Sequence, residues 1–322
     1  MGPRDACPAP RPCRRRSFHR ALAVRDHLRP PPRLPLTWFA LALGAALLQA
    51  AQITFVKGQA RGIPPLIMVF WTQAVGVAGW ALGIWLTGTA IHVPPHMWGW
   101  IALAALCAGA YSYLLTRASS RGDISIVGPV LALAPIFSIL PDWWLTDTLP
   151  RGVGWIGVGL SVVGTAGLSR TPTRRLDLRA FFSRGDALDA LGSAVFLGVL
   201  AAVDRRNVLA MSVPSYFVAA YAVLAVPLLL LVLVHAPRAL ADSLRPAQLA
   251  RVLGHALIVL AGTALQVLAL VLAPAAYVSS IRRTSAVFTV LLGSALFKEE
   301  GLAGRLTAAL LTVLGAVCLV LG

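Results

Sequence analysis

From Leu36 onward the chain is a succession of apolar stretches, each near twenty residues long and separated by short polar joints. A bilayer core about 30 Å thick takes about twenty residues of helix to cross, and inside it every backbone N–H and C=O must find a partner within the protein. Stretches of this length and spacing therefore read as spanning helices, at 36–56, 65–87, 97–116, 124–145, 152–169, 187–204, 214–235, 252–273, 276–297 and 303–321. With 58% hydrophobic and 12% charged residues over 322 positions and a mean hydropathy of +0.77, the chain is far more apolar than a globular domain, where about a quarter of residues are charged. The expected class is an all-α integral membrane protein with ten transmembrane helices.

A net charge of +16 would point a soluble protein toward nucleic acid. Here the arginines sit in a tail and in joints flanking apolar spans, where orientation and lipid headgroups account for them, so the bilayer is the expected partner and nucleic acid is not. Residues 1–35 carry nine arginines and Pro30-Pro31-Pro32 with too little apolar material for a core, which predicts a disordered basic tail. The run Arg14-Arg15-Arg16-Ser17-Phe18 lacks the apolar region that an export signal needs behind it.

Two stretches share one plan. Residues 124–169 and 279–322 each contain an apolar arm, a polar turn and a second arm, and a shift of 151 positions carries Phe137 onto Phe288, Leu140 onto Leu291 and Gly164 onto Gly315. The first helix ends ITFVKGQARGIPP and the sixth AVDRRNVLAMSVP, so Lys57 and Arg205-Arg206 precede matching turns at Pro64 and Pro214. The expected organisation is a tail (1–35), a first repeat (36–169), a basic linker (170–185) and a second repeat (186–321). Five crossings per repeat is an odd number, so the second repeat enters the membrane from the opposite side, giving two inverted five-helix repeats. Orientation is contested by the charges: the joints after odd-numbered helices hold fourteen Lys/Arg and those after even-numbered ones three, which favours an external N-terminus, whereas the basic tail favours an internal one.

Ionisable groups within spans are costly, about 2.5–3.5 kcal/mol on insertion scales, and so are candidates for function. Arg282 and Arg283, with Thr284 and Ser285 behind them, lie in the ninth span, where one arginine faces a cavity and binds an anionic group. Asp204 and Arg205 close the sixth, and Asp142 lies near the end of the fourth. Lys57, Gln73 and Tyr111 complete the expected substrate-binding set. Pro129, Pro135 and Pro141 predict a kinked or unwound fourth helix. Gly79 and Gly83, Gly157 and Ser161, and Gly304 and Ala308 mark helix faces suited to close packing.

Enzyme signatures are missing: there is no Walker loop and no GxSxG, and Pro94-Pro95 keep His92 and His96 off one helix face. Cys7, Cys13, Cys107 and Cys318 lack ligand or disulfide spacing. No cofactor, metal or catalytic residue is expected.

The motifs ISIVGPVLALAPIFSIL and SSIRRTSAVFTVLLGSALFKEEGLAGRLTAALLTVLGAVCLVL resemble the two EamA repeats of the drug/metabolite transporter superfamily, over Leu36 to Leu321. The resemblance implies a small-molecule transporter whose fourth and ninth helices line a central cavity, with both termini cytoplasmic. Two features depart from the common pattern: Thr72-Gln73 stand near the place of a frequent arginine, and the first turn reads TDT rather than GE. The expected function is secondary transport of a small metabolite or drug across the cytoplasmic (inner) membrane, outward and by alternating access, by a monomer or homodimer. A flippase for a lipid-linked substrate, and a membrane enzyme acting on a polyprenyl or acyl donor, are the alternatives.

Overall fold

The computed structural model describes residues 37–59, 62–146, 152–167, 185–272, 278, 281–299 and 301–321. The basic tail, nearly all of the linker and the TDT turn lie outside these residues. Helices account for almost everything described, and there is no strand among the described residues. In chain order they are α1 (Thr37–Gln59), α2 (Pro65–Thr87), α3 (Trp98–Arg121), α4 (Ile124–Leu131), α5 (Ala134–Thr146), α6 (Val153–Gly167), α7 (Gly185–Ala210), α8 (Val213–His235), α9 (Pro237–Ser243), α10 (Pro246–Leu272), α11 (Ser285–Phe297) and α12 (Leu302–Leu321). A single 3₁₀ turn, Pro95–Met97, leads into α3.

Each apolar stretch of the sequence holds a helix. Among the described residues seven spans are long and apolar enough to cross a bilayer, the α4–α5 pair counting as one, and three shorter apolar helices lie at Val153–Gly164, Ser285–Phe297 and Leu302–Cys318. Outer faces are greasy, as contact with lipid requires: α8 exposes Val226, Leu230 and Val234, and its most apolar window is only 17% buried.

The fourth span breaks beside one of its prolines. A helical residue at 135 would donate to the carbonyl of Leu131, but proline has no N–H and its ring crowds that carbonyl. α4 accordingly stops at Leu131 and α5 restarts at Ala134. The ninth span breaks too, without a proline: residues 281 and 282 are helical, Thr284 caps α11, and α11 begins at Ser285. The shift of 151 that aligns the repeats carries Ala134, the first residue of α5, onto Ser285, the first of α11. The two breaks pack together, with Ala132 against Ala286 and Val290 in one buried cluster.

Packing pairs one half with the other. α1 lies on α10, α3 on α7, α2 on α8, α4 on α11 and α6 on α12. This set maps onto itself when each helix is exchanged for its counterpart five spans away. Small residues permit the approaches. A Cβ on Gly164 would lie 2.7 Å from the backbone N of Thr312, so only glycine lets α6 and α12 meet there. Gly79 likewise abuts the Leu260 side chain, whereas Gly83 and Gly304 have no close neighbour among the described residues.

Two ends can be told apart. At one, Lys57 closes α1, Asp123 precedes α4, and Arg117 pairs with Asp189 near the start of α7 at 2.8 Å. At the other, the backbone N–H of His92 donates to Ser215 at 3.3 Å and Asn207 donates to the Trp100 carbonyl at 3.4 Å. α1 thus runs toward the first end and α7 away from it.

Candidate functional site

Between these ends α1, α2, α3, α7, α8, α10 and Arg282 enclose a cavity of about 150 Å³. Its wall is unusually polar for the interior of a membrane protein. α1 contributes Gln49 and Gln52, α2 Thr72 and Gln73, α3 Tyr111 and Ser112, α7 Asp204, α8 Tyr216 and Tyr221, and α10 Thr263 and Gln266. Every one of these groups would be costly against lipid, and their convergence on one space gives them somewhere better to be.

One acid and one base stand in the wall. Asp204 accepts a hydrogen bond from the Tyr216 hydroxyl, and Arg282 donates through Nη1 to Gln266 Oε1. Asp204 lies six residues before the end of α7, about 9 Å along the axis at 1.5 Å per residue, so it sits well inside the helix rather than at its rim. Thr72 donates to the Met68 carbonyl at 2.8 Å and meets His255 Nδ1 at 3.2 Å, which fixes a polar pair behind the α2 wall.

The sequence candidates divide. Arg282, Asp204, Gln73 and Tyr111 line the cavity. Ser285 stands behind the wall, donating to Gln49 Oε1 at 3.3 Å, and Gln49 lines it. Thr284 turns to its own helix, donating to the Ile281 carbonyl at 2.6 Å. Arg283, in the turn that precedes α11, is half-buried away from the cavity wall and its Nε has no hydrogen-bond partner. Arg205 is exposed, while its neighbour Arg206 lies over the Trp100 ring, 3.8 Å from the centroid. Lys57 is elsewhere, bonded to Glu299 Oε1 at 2.5 Å in an ionic cluster at its end of the molecule. Neither α4 nor α5 supplies a lining residue, although the family resemblance implied that the fourth helix would; among the described residues the ninth span contributes through Arg282 alone. The Asp142 side chain lies outside what the structure describes.

Sequence reasoning passed over Gln49, Gln52, Gln266, Tyr216 and Tyr221. It weighed charges, and the available signal was subtler: four glutamines (the three just named and Gln73) each stand inside an apolar span, where an amide also needs a partner.

Helices of both halves surrounding a polar, charge-bearing cavity define a polytopic helical membrane protein. Residues 36–170 match the model of the EamA-like transporter family, which belongs to the drug/metabolite transporter superfamily. No curated protein matches the sequence. One solved crystal structure, described only as that of a protein, superposes on 87% of this chain and 95% of its own with a TM-score of 0.60 at 17% identity, a likeness of fold alone.

Proposed function

We propose that the protein is a secondary transporter of the cytoplasmic membrane that moves a small polar metabolite outward by alternating access, using ten helices arranged as two inverted five-helix repeats. The observation that carries this reading is the cavity: it is walled by both halves and holds Arg282 and Asp204 on opposite halves of their ion-pairing chemistry without spending them on each other as a direct bridge. The inverted arrangement is supported by the opposed directions of α1 and α7, by the pairing of helices across the halves, and by the coincident starts of α5 and α11 under one shift. Without an ATP-binding segment in the sequence, a solute gradient or a partner drives the cycle. Arg282 binds an anionic group of the substrate, and Asp204, oriented by Tyr216, faces its remaining polar part.

A thermal-shift screen of the purified protein against metabolites tests this. A ligand present at a hundred times its Kd stabilises the folded state by about 2.7 kcal/mol. The reading expects at least one small anionic or dipolar metabolite to raise the unfolding temperature in the parent and to lose that effect in Arg282→Gln. Stabilisation only by lipid-linked compounds, or by ligands indifferent to Arg282, would contradict it.

A further inference from the structure

Away from the cavity, the end of the molecule where α1 finishes holds a cluster of four charged side chains that transport as so far described does not use. Its centre is Glu299. α11 ends on Lys298, whose φ of 53° is left-handed and turns the chain back, so that the Glu299 N–H reaches the Gly293 carbonyl at 3.4 Å. The turn aims the carboxylate at the start of α4. There Oε1 accepts the Ile124 N–H and Oε2 the Ser125 N–H, both at 3.0 Å, and the Ser125 hydroxyl donates to Oε2 as well. These N–H groups have no partner within α4, and the positive end of the helix dipole faces the same way. Gly293 is needed for this seat: a Cβ there would stand 2.7 Å from Oε2 and 3.1 Å from the Ile124 side chain.

Two cations close on the same carboxylate. Lys57 bonds Oε1 at 2.5 Å and lies 3.7 Å from Asp123; Arg305, on α12, spans Glu299 Oε2 at 3.2 Å and Asp123 Oδ2 at 3.1 Å. The Glu299 side chain is only 4% exposed, so these bonds are shielded from water and salt. Lys57, Asp123, Ile124 and Ser125 belong to the first half, Glu299 and Arg305 to the second. Nearly every bond of the cluster therefore crosses from one half to the other. On α1 the cavity residue Gln52 is five residues before Lys57, so the cluster lies about 7.5 Å beyond the cavity along the axis toward this end, with Lys57 turned about 140° from Gln52 around the helix.

We propose that this cluster is the gate that seals the cavity from the end of the molecule bearing Lys57, and that Glu299 is its latch. The inference rests on the transport reading, since a seal has meaning only where the cavity opens in turn to each side. Opening at this end requires α11 and α12 to move away from α1 and α4, which withdraws Glu299 from the α4 N-terminus and from Lys57 together. The far end is joined differently, by the Arg206–Trp100 stack, the Asn207 and Ser215 hydrogen bonds and an apolar cluster in which Met97 and Ile101 meet Val203 and Tyr216.

Cysteine accessibility tests the latch without a known substrate. In a background with Cys7, Cys13, Cys107 and Cys318 replaced, Ser112→Cys reports on the cavity, while Arg121→Cys marks the Lys57 end and Ala90→Cys the far end. A membrane-impermeant maleimide is applied to right-side-out and inside-out vesicles, and the marker that reacts identifies the face. The expected result is slow labelling of Ser112→Cys from the Lys57 face in the parent, at least fivefold faster labelling from that face in Glu299→Gln, and more in Glu299→Ala, which loses the α4 cap as well. Lys57→Gln gives the same direction by an independent route, should either Glu299 variant fail to insert. Unchanged labelling from the Lys57 face in Glu299→Gln and Lys57→Gln, with normal marker labelling, overturns the latch and leaves the transport reading standing. Rapid labelling from both faces in the parent overturns both, because it describes an open channel.

Discussion

At the residue scale, the cavity wall owes its shape to pairs that hold each other in place. Tyr216 fixes Asp204, and Gln266 fixes Arg282. Removing one member leaves the other short of a bond in a partly buried site, a loss of about 1–3 kcal/mol. Tyr216→Phe should therefore lower the stability of the detergent-purified protein by that amount, read as a lower unfolding temperature; an unchanged temperature would mean that Asp204 is hydrated rather than held by the tyrosine. Arg282 is expected to divide its variants by chemistry. Hydrogen bonds to a charged group are worth about 1.5–3 kcal/mol, so Arg282→Gln should weaken the affinity of the screened ligand by about tenfold to a hundredfold, and Arg282→Lys by less because it keeps the charge but not the planar fork. Equal affinity in the two variants would show that the guanidinium does not touch the ligand. Of these residues the sequence made the charges legible, because a charge in an apolar span stands out. It could not make their partners legible: Lys57 and Glu299 are 242 positions apart, and each alone reads as a group at the membrane edge.

Helices behave similarly. A break in the fourth span was readable from its prolines, though not its place: the chain interrupts before Pro135, while Pro129, Pro141 and Pro227 lie inside continuous helices. The matching break before α11 was not, because Arg283 and Thr284 carry no such mark, although Ala132 packs there against Ala286 and Val290. Small residues divide in the same way. Sequence spacing treated Gly79, Gly83 and Gly304 alike, yet only Gly79 of the three meets a neighbour among the described residues, and Gly164, noticed solely as a repeat position, packs against the backbone of Thr312. Gly164→Val should force α6 from α12 at a cost of about 1–3 kcal/mol or more, while Gly83→Ala and Gly304→Ala should leave the unfolding temperature nearly unchanged. A stable Gly164→Val would mean that α6 and α12 are not closely apposed. Removing Glu299 exposes the cations it pairs, and breaking a buried pair by deleting one partner costs about 3–5 kcal/mol, so Glu299→Ala should be the least stable single variant named here.

Over the whole molecule, the all-helical class and the rough positions of the apolar helices followed from length and apolarity, whereas among the described residues seven of the ten expected spans are long and apolar enough to cross and three are shorter. How the halves face each other did not follow, and it is this arrangement that makes the cavity. The proposed arrangement of five spans in each half puts both termini on one side of the membrane, so C-terminal reporters active in a single compartment should agree with N-terminal ones. The breaks at Ala132 and Ser285 lie together where the halves meet, so cysteines at these two positions should change their reactivity when ligand binds; constant reactivity at saturation would argue for a rigid pore. The most direct measurement is counterflow. Liposomes containing the purified protein are preloaded with the ligand found by thermal shift, and a trace of the same ligand, labelled, is added outside. A carrier that presents one cavity alternately to each side gives a transient accumulation of label above equilibrium, saturable in ligand and diminished in Arg282→Gln. Label that only equilibrates, at a rate rising linearly with concentration and equal in the variant, would contradict the account.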